Sequence, residues 1–387
     1  MKILHLFSNW KWTGPADPTL HLCKGLEKRG HDVTFAYRKP PIPVADSIEN
    51  RVLQSGVKAT DRFQLDHSLK LYHPSFLPTH LRDLLDLTRY LREEKFDILN
   101  VHHTHGHLLG GIAARRSGHP VIVIRTDHKR DPLKPSLGNR FLISQFTDGM
   151  ITFSERARKG DSEHFGLPLE RIGKISPALD LDRYDPEGKF KDMKALFGIG
   201  PKEIVIGMVA RYQKYRRTAV FLEAVKTIVK EFQNVRILLV GRSSQIEQSV
   251  IQPMKRLGVE KWVVLGGYQT DDYLDTLACM DMFVFLMAGS DGTARALREA
   301  MAMGKPVIVA NRGMLPELVE DGISGLVVND TADGLARAAL RLLHHPELRE
   351  ALGKAAYQRA HQNFRLDRQV EAVERFYQEM MTLGKRK

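Results

Sequence analysis

Cysteine is nearly absent. The 387 residues hold two, Cys23 and Cys279, with no spacing partner for a zinc or redox motif. A disulfide scaffold is thereby excluded, and both thiols read as small buried hydrophobes of a reducing compartment. Long apolar runs are missing too. "RILLVG" and "MFVFLMAG" fall far short of the roughly 20 residues a bilayer crossing needs. The opening "MKILHLFSNW" has neither the length nor the small-residue cleavage site of a signal peptide and reads as a first strand, so a cytoplasmic location is expected. Acid is in deficit: 46 Asp and Glu stand against 58 Lys and Arg, a net +12. That surplus favours anionic partners, whether nucleotide phosphates, nucleic acid or an acidic membrane face. It does not choose among them.

What is present is an alternation of short β-type runs and helical stretches. "KILHLFS", "HDVTFAY", "FDILNVHH", "PVIVIRTD" and "GMITFS" are each followed by a helical pattern. After Asp180–Pro201, rich in Asp, Gly, Lys and Pro, the alternation restarts with "IVIGMVAR", "VRILLVG", "WVVLGG", "MFVFLM" and "PVIVAN". Nearly continuous apolar strands between helices predict parallel sheets covered on both faces. The chain is also too long for one compact core. The expectation is an α/β protein of two doubly wound Rossmann-like domains facing a cleft: 1–182, 183–365, and a helical, charged 366–387 able to cross back to the first. Ligands belong at the carboxyl ends of the strands.

Chemistry concentrates in "GSDGTARALREAMAMGKPV", Gly289–Val307. A small-residue loop there opens a helix expected from about Thr293 to Met303, with Gly304 as its C′ residue and Pro306 as a stop. Free N–H groups near Gly292 and Thr293 make an anion site. Asp291 and Glu299 are either acceptors for ligand hydroxyls or, more blandly, a dipole partner and a surface acid.

The stretch "SDGTARALREAMAMGKPVIVANRGMLPELVEDGISGLVV" resembles the donor-binding signature of family-4 retaining glycosyltransferases, which have the GT-B fold. In that family a Glu-x7-Glu pair precedes Ala-Met-Ala-x-Gly-x-Pro-Val. The resemblance puts Glu299 on the acid that holds the nucleotide ribose. It puts Asp291 on the one that touches the donor sugar, where this chain has Asp for Glu. It extends through "KGLEKRGHDVTFAY", "IRTDH", "ITFSERARKG" and "IGMVARYQKYRRTAVFLEAV", in the family's order.

By the same resemblance Arg211, at a strand end, and Arg216 clamp the donor diphosphate, with Lys214 and Arg217 competing for the second position. His128 contacts the donor sugar near the reacting carbon, with Asp127 beside it. Gly14 survives from the family's glycine-rich loop bordering acceptor and diphosphate, and Gly267–Tyr268 lie where the base is seated. Tyr268 packing inside the domain is the bland alternative. Trp10 and Trp12 are candidates for stacking on a sugar ring or for core packing. His102, His103, His105 and His107 in "VHHTHGH" tempt a metal assignment. Carboxylates and thiolates are absent locally, so crowding at a strand-to-helix turn is preferred. Ser154 reads as an N-cap.

The resemblance implies retaining transfer from a nucleotide-diphosphate sugar, a UDP-sugar first, with no metal or other cofactor. The acceptor would be a hydroxyl of a glycan or lipid-linked molecule in lipopolysaccharide or polysaccharide assembly, reached from an anionic membrane surface. Its rivals are a nucleotide-sugar 2-epimerase and a non-catalytic binder of nucleotide sugar or nucleic acid. No recognised nucleic-acid motif is present, so no nucleic-acid partner is expected.

Overall fold

The computed structural model describes every residue except Thr13, Pro43, residues 45–46, 67–73, 289–292 and Lys387, and of Phe76 only the backbone. The chain divides into two compact units: Met1–Ala178 together with Leu366–Lys387, and most of Leu179–Arg365.

The first unit is built on β1 (Lys2–Phe7), β2 (Asp32–Tyr37), β3 (Ala59–Thr60), β4 (Ile98–Val101), β5 (Ile122–Thr126), β6 (Gly149–Thr152) and β7 (Ile172–Lys174). They form one parallel sheet in the order β3-β2-β1-β4-β5-β6-β7. The second holds β8 (Ile204–Val209), β9 (Val235–Val240), β10 (Val263–Gly267), β11 (Met282–Phe285), β12 (Val307–Ala310) and β13 (Leu326–Val328). Its order is β10-β9-β8-β11-β12-β13, again all parallel. Both sheets are thus Rossmann-like. Each reverses its winding direction once, between β1 and β4 and between β8 and β11, and there the connections leave a crevice at the strand carboxyl ends. The apolar runs make this possible: central β1, β4, β8 and β11 bury nearly every residue because helices cover both faces.

The final segment is two helices, Pro346–Asn363 and Leu366–Leu383. The second packs in the first unit's core through Val370, Val373, Phe376, Tyr377 and Met380. Gly25 admits it: a Cβ there would sit 2.3 Å from Val370. Polar pairing fixes the docking, since Asn100 of β4 donates to the Tyr377 hydroxyl at 2.6 Å and accepts from Thr126 at 2.9 Å. A buried amide in an apolar strand is tolerated only when paired in this way. Of the two thiols, Cys23 is buried, but Cys279 ends a helix and is partly exposed. Among the described residues no helix is long and apolar enough to cross a membrane.

Candidate active site

In the second unit the reversal point lies between β8 and β11, and the basic turn after β8 sits there. β8 runs into Arg211 beside Gly241, which follows β9 at φ +140°; a Cβ on Gly241 would lie 1.9 Å from the Ala210 carbonyl oxygen. Only glycine lets the two strand ends come this close. Arg211 itself is exposed. Arg216 donates from Nη1 to the Met287 carbonyl at 2.7 Å, which holds its guanidinium at the end of β11. Arg217 is committed elsewhere: it takes the left-handed backbone (φ 63°) before the helix Thr218–Glu231 and pairs with Asp330 at 3.0 Å. Lys214 is exposed in the same turn.

The helix after β11 begins at Arg295, two residues later than the sequence suggested, and spans Arg295–Ala302. Thr293 is therefore a buried loop residue rather than helix N1. Ala294 precedes the helix at φ 46°, a left-handed conformation a residue with a Cβ adopts only under constraint. Gly304 at φ 65° follows the C-cap, as its position in the sequence requires. Asp291 and Gly292 lie outside the described residues.

Glu299 is not a surface acid. It is buried, accepts at Oε1 from the Tyr184 hydroxyl (2.9 Å) and Arg295 Nε (2.7 Å), and accepts at Oε2 from the Tyr273 hydroxyl (2.6 Å). Burial first, and then the Glu299 charge, push both tyrosines well above the usual phenol range, so they act as donors. A carboxylate offers about four acceptor sites, so roughly one remains open here. Nearby, Gly267 ends β10 at φ 66° and accepts from Gly241 N at 2.7 Å. Tyr268 does not pack inside: its ring is exposed beneath the Arg242 guanidinium, 4.1 Å from the centroid.

The first unit reverses between β1 and β4, and its strand ends there carry histidine. His5 Nδ1 meets His102 Nε2 at 3.0 Å, and His102 Nδ1 meets His128 Nε2 at 2.9 Å, so three rings run across β1, β4 and β5. All three are buried, and desolvation holds each below the usual imidazole range, His5 at about 3. His107 is a structural member of a separate set. Arg125 donates to its Nδ1 (3.0 Å), so its Nε2–H donates to Thr147 (2.9 Å). His103 packs edge-on against Phe7 and His105 against His80. Among the described residues no three His, Cys, Asp or Glu side chains converge as metal ligands.

Around this end lies a cavity of about 790 Å³ lined by Ser8, Asn9, His103, His105, Asn139 and Phe141, among others. Gly14 is half-buried in the turn before the helix Ala16–Lys28. Trp12 packs on the core under Arg51 (5.6 Å), whereas Trp10 is half-buried beside Lys11. Asp127 is buried 3.6 Å from Arg125, with burial raising its carboxyl above the ordinary range. Ser154 caps the helix Glu155–Phe165 by accepting from Ala157 N.

Sequence reasoning overlooked His5, Tyr184 and Tyr273. A histidine inside an otherwise apolar strand, in register with Asn100, was the available signal for His5. For the tyrosines there was none, because their partner Glu299 is 115 and 26 residues away.

Known proteins fit this layout. Residues 18–183 match the model for Glycosyltransferase Family 4, and residues 190–359 that for Glycosyl transferases group 1. The chain is 27% identical over 370 residues to N-acetyl-alpha-D-glucosaminyl L-malate synthase of Bacillus anthracis, covering 93% of this chain and 92% of that one. Anabaena HepE, solved with UDP and glucose, superposes with a TM-score of 0.77 at 19% identity, over 97% of this chain and 98% of that one. The lipopolysaccharide outer core galactosyltransferase WaaB does so with 0.74 at 15%, over 97% and 99%. With one family model matching each half and two parallel Rossmann-like sheets beneath them, the chain is a glycosyltransferase of family 4 with the GT-B fold.

Proposed function

We propose that the chain moves a sugar from a nucleoside diphosphate, a UDP-sugar first, to a hydroxyl of a glycan or lipid-linked acceptor, with retention at the anomeric carbon. Glu299 carries this reading: it is a buried carboxylate with its partners in place and about one acceptor site open, which suits a ribose hydroxyl. Displacement of the half-exposed Arg295 would free a second site, so a vicinal diol fits. Arg211 and Arg216, with the amides of Gly292 and Thr293, take the diphosphate. As the glycosidic bond breaks, charge grows on that leaving group, and fixed cations and amides stabilise it without a metal. Gly267 and Tyr268 seat the base, Asp291 and His128 hold the donor sugar, and Gly14 borders the acceptor. Attack is front-face, as the family resemblance implies, with the leaving phosphate drawing off the acceptor proton.

The 790 Å³ cavity, mixing hydroxyl, amide and imidazole groups with the Phe141 ring, suits a sugar acceptor. The +12 charge and the exposed Leu137 and Phe141 beside Arg140 support work at an anionic membrane face, in cell-envelope glycan assembly.

Thermal-shift titration with UDP-, GDP- and ADP-sugars tests the donor, because ligand binding raises stability with the logarithm of saturation. One UDP-sugar should raise the melting temperature and, with an acceptor glycan and EDTA present, give an α-linked product from an α-linked donor. An inverted product, a strict metal requirement, or donor conversion without any acceptor would overturn the proposal.

A further inference from the structure

We propose that His5, His102 and His128 form one tautomer-locked chain that keeps Nδ1 of His128 protonated, so that His128 presents an N–H donor to a ligand oxygen. The ligand half of this rests on the placing of His128 at the donor sugar; the tautomer does not.

Two hydrogen bonds join the three rings, at 3.0 and 2.9 Å, and each neutral imidazole has one N–H and one bare nitrogen. The three tautomers are therefore not independent: once one ring is fixed, so are the others. Only two arrangements keep both bonds. In one, His5 donates to His102 and His102 donates to His128, which leaves His5 Nε2 bare and His128 Nδ1 protonated. In the other every proton moves to the opposite side, leaving an N–H on His5 Nε2.

Both terminal nitrogens, His5 Nε2 and His128 Nδ1, are buried without a hydrogen-bond partner among the described residues. Their surroundings differ. His5 lies within β1, inside the packed sheet, and lines neither described cavity. His128 lines a cavity of about 20 Å³ together with Pro18, Thr19, Thr126 and Phe153. That volume accepts about one water or one hydroxyl oxygen. An orphaned buried N–H is the rarer and costlier defect, so the chain places its free N–H where an oxygen can reach it. The polarity runs from β1 outward, and His128 Nε2, saturated by His102, is removed from ligand chemistry. Burial keeps all three rings neutral, which the arrangement needs, since an imidazolium has no acceptor nitrogen to complete the chain.

His5 and His102 are thus positioning residues and His128 the contact. The polarity also opposes the default, because free neutral histidine prefers its proton on Nε2. The test is 15N NMR of histidine-labelled, ligand-free protein near pH 7.5. Nδ1 of His128 should show the protonated shift and Nε2 of both His128 and His5 the bare one. A bare Nδ1 on His128 in the wild-type protein overturns the proposal, whatever the variants do. His102→Phe should return His128 to Nε2–H and lower kcat about tenfold with donor KM little changed. His102→Asn, whose amide can take the place of Nδ1–H, should restore the Nδ1–H signature. A His102→Phe protein that keeps the wild-type signature also overturns the chain. Titration of the wild type with the donor that passes the thermal-shift screen should move the His128 Nδ1 resonance. If it does not, the ligand half fails while the tautomer assignment and the glycosyltransferase reading stand.

Discussion

The two units meet the same problem, polar side chains at the carboxyl ends of a buried parallel sheet, with opposite solutions. In the first, burial suppresses charge. His5, His102 and His128 are held neutral, and Asp161 in the helix Glu155–Phe165 is pushed up to about 7 by desolvation. In the second, hydrogen-bond donors are gathered around the acid. Glu299 is buried but surrounded by three donors, and Arg211 stays in solvent. A buried ion survives only if hydrogen bonds replace its lost water. The contrast is one of environment: buried imidazoles bonded to one another in the first unit, a buried carboxylate ringed by donors in the second.

That contrast can be broken by substitution. The largest effect should come from Arg211→Ala, which removes an exposed cation at the β8 end. Transfer, read as kcat/KM with the matched donor, should fall about 10²–10³-fold while the melting temperature stays put. Wild-type turnover would end its role at the diphosphate.

Asp161→Asn probes the other solution. The folded carboxyl titrates near 7 against an ordinary 3.8, so the native state binds the proton more tightly than the unfolded chain. Its penalty is absent below about pH 4, grows as pH rises, and is complete above about pH 7. Asn keeps the oxygen that accepts from Leu133 N (2.7 Å) and carries no charge. Urea unfolding near pH 8 should therefore show the variant more stable by roughly 2–4 kcal/mol, with the gap closing toward pH 4. An equal gap at both pH values would mean Asp161 does not titrate as its burial implies.

Glu299→Gln trades the buried charge for a neutral isostere. UDP affinity by calorimetry should fall about tenfold, near 1.4 kcal/mol. Unchanged binding would return Glu299 to a purely structural role. Smallest is Tyr273→Phe, which takes one donor from that carboxylate. It should cost about 0.5–1.5 kcal/mol of stability in denaturant, with the nucleotide affinity only slightly altered.

Much of this was readable along the chain. The apolar strands, their alternation with helices and the break near Asp180 follow from period and composition, so two doubly wound domains were legible, as was the stop at Gly304. Strands of two or three residues, β3, β7 and β13, carry too little pattern to stand out individually, and they pair only because a neighbouring strand is already in place. The start of the helix at Arg295 was misplaced because the left-handed turn at Ala294 has no glycine to announce it.

By itself the sequence determined where the backbone turns and which faces are apolar, because helix and strand periods are local properties of side-chain size and polarity. It also determined that an acid and two arginines stand near strand ends of the second half. Pairing was decided only by tertiary structure. That Arg217 belongs to Asp330, that two tyrosines serve Glu299, and that His5 reaches His128 through His102 depend on residues brought together from distant parts of the chain. Desolvation then acts on the assembled cluster, and it is burial, a property no single residue carries, that holds the three imidazoles below their usual range.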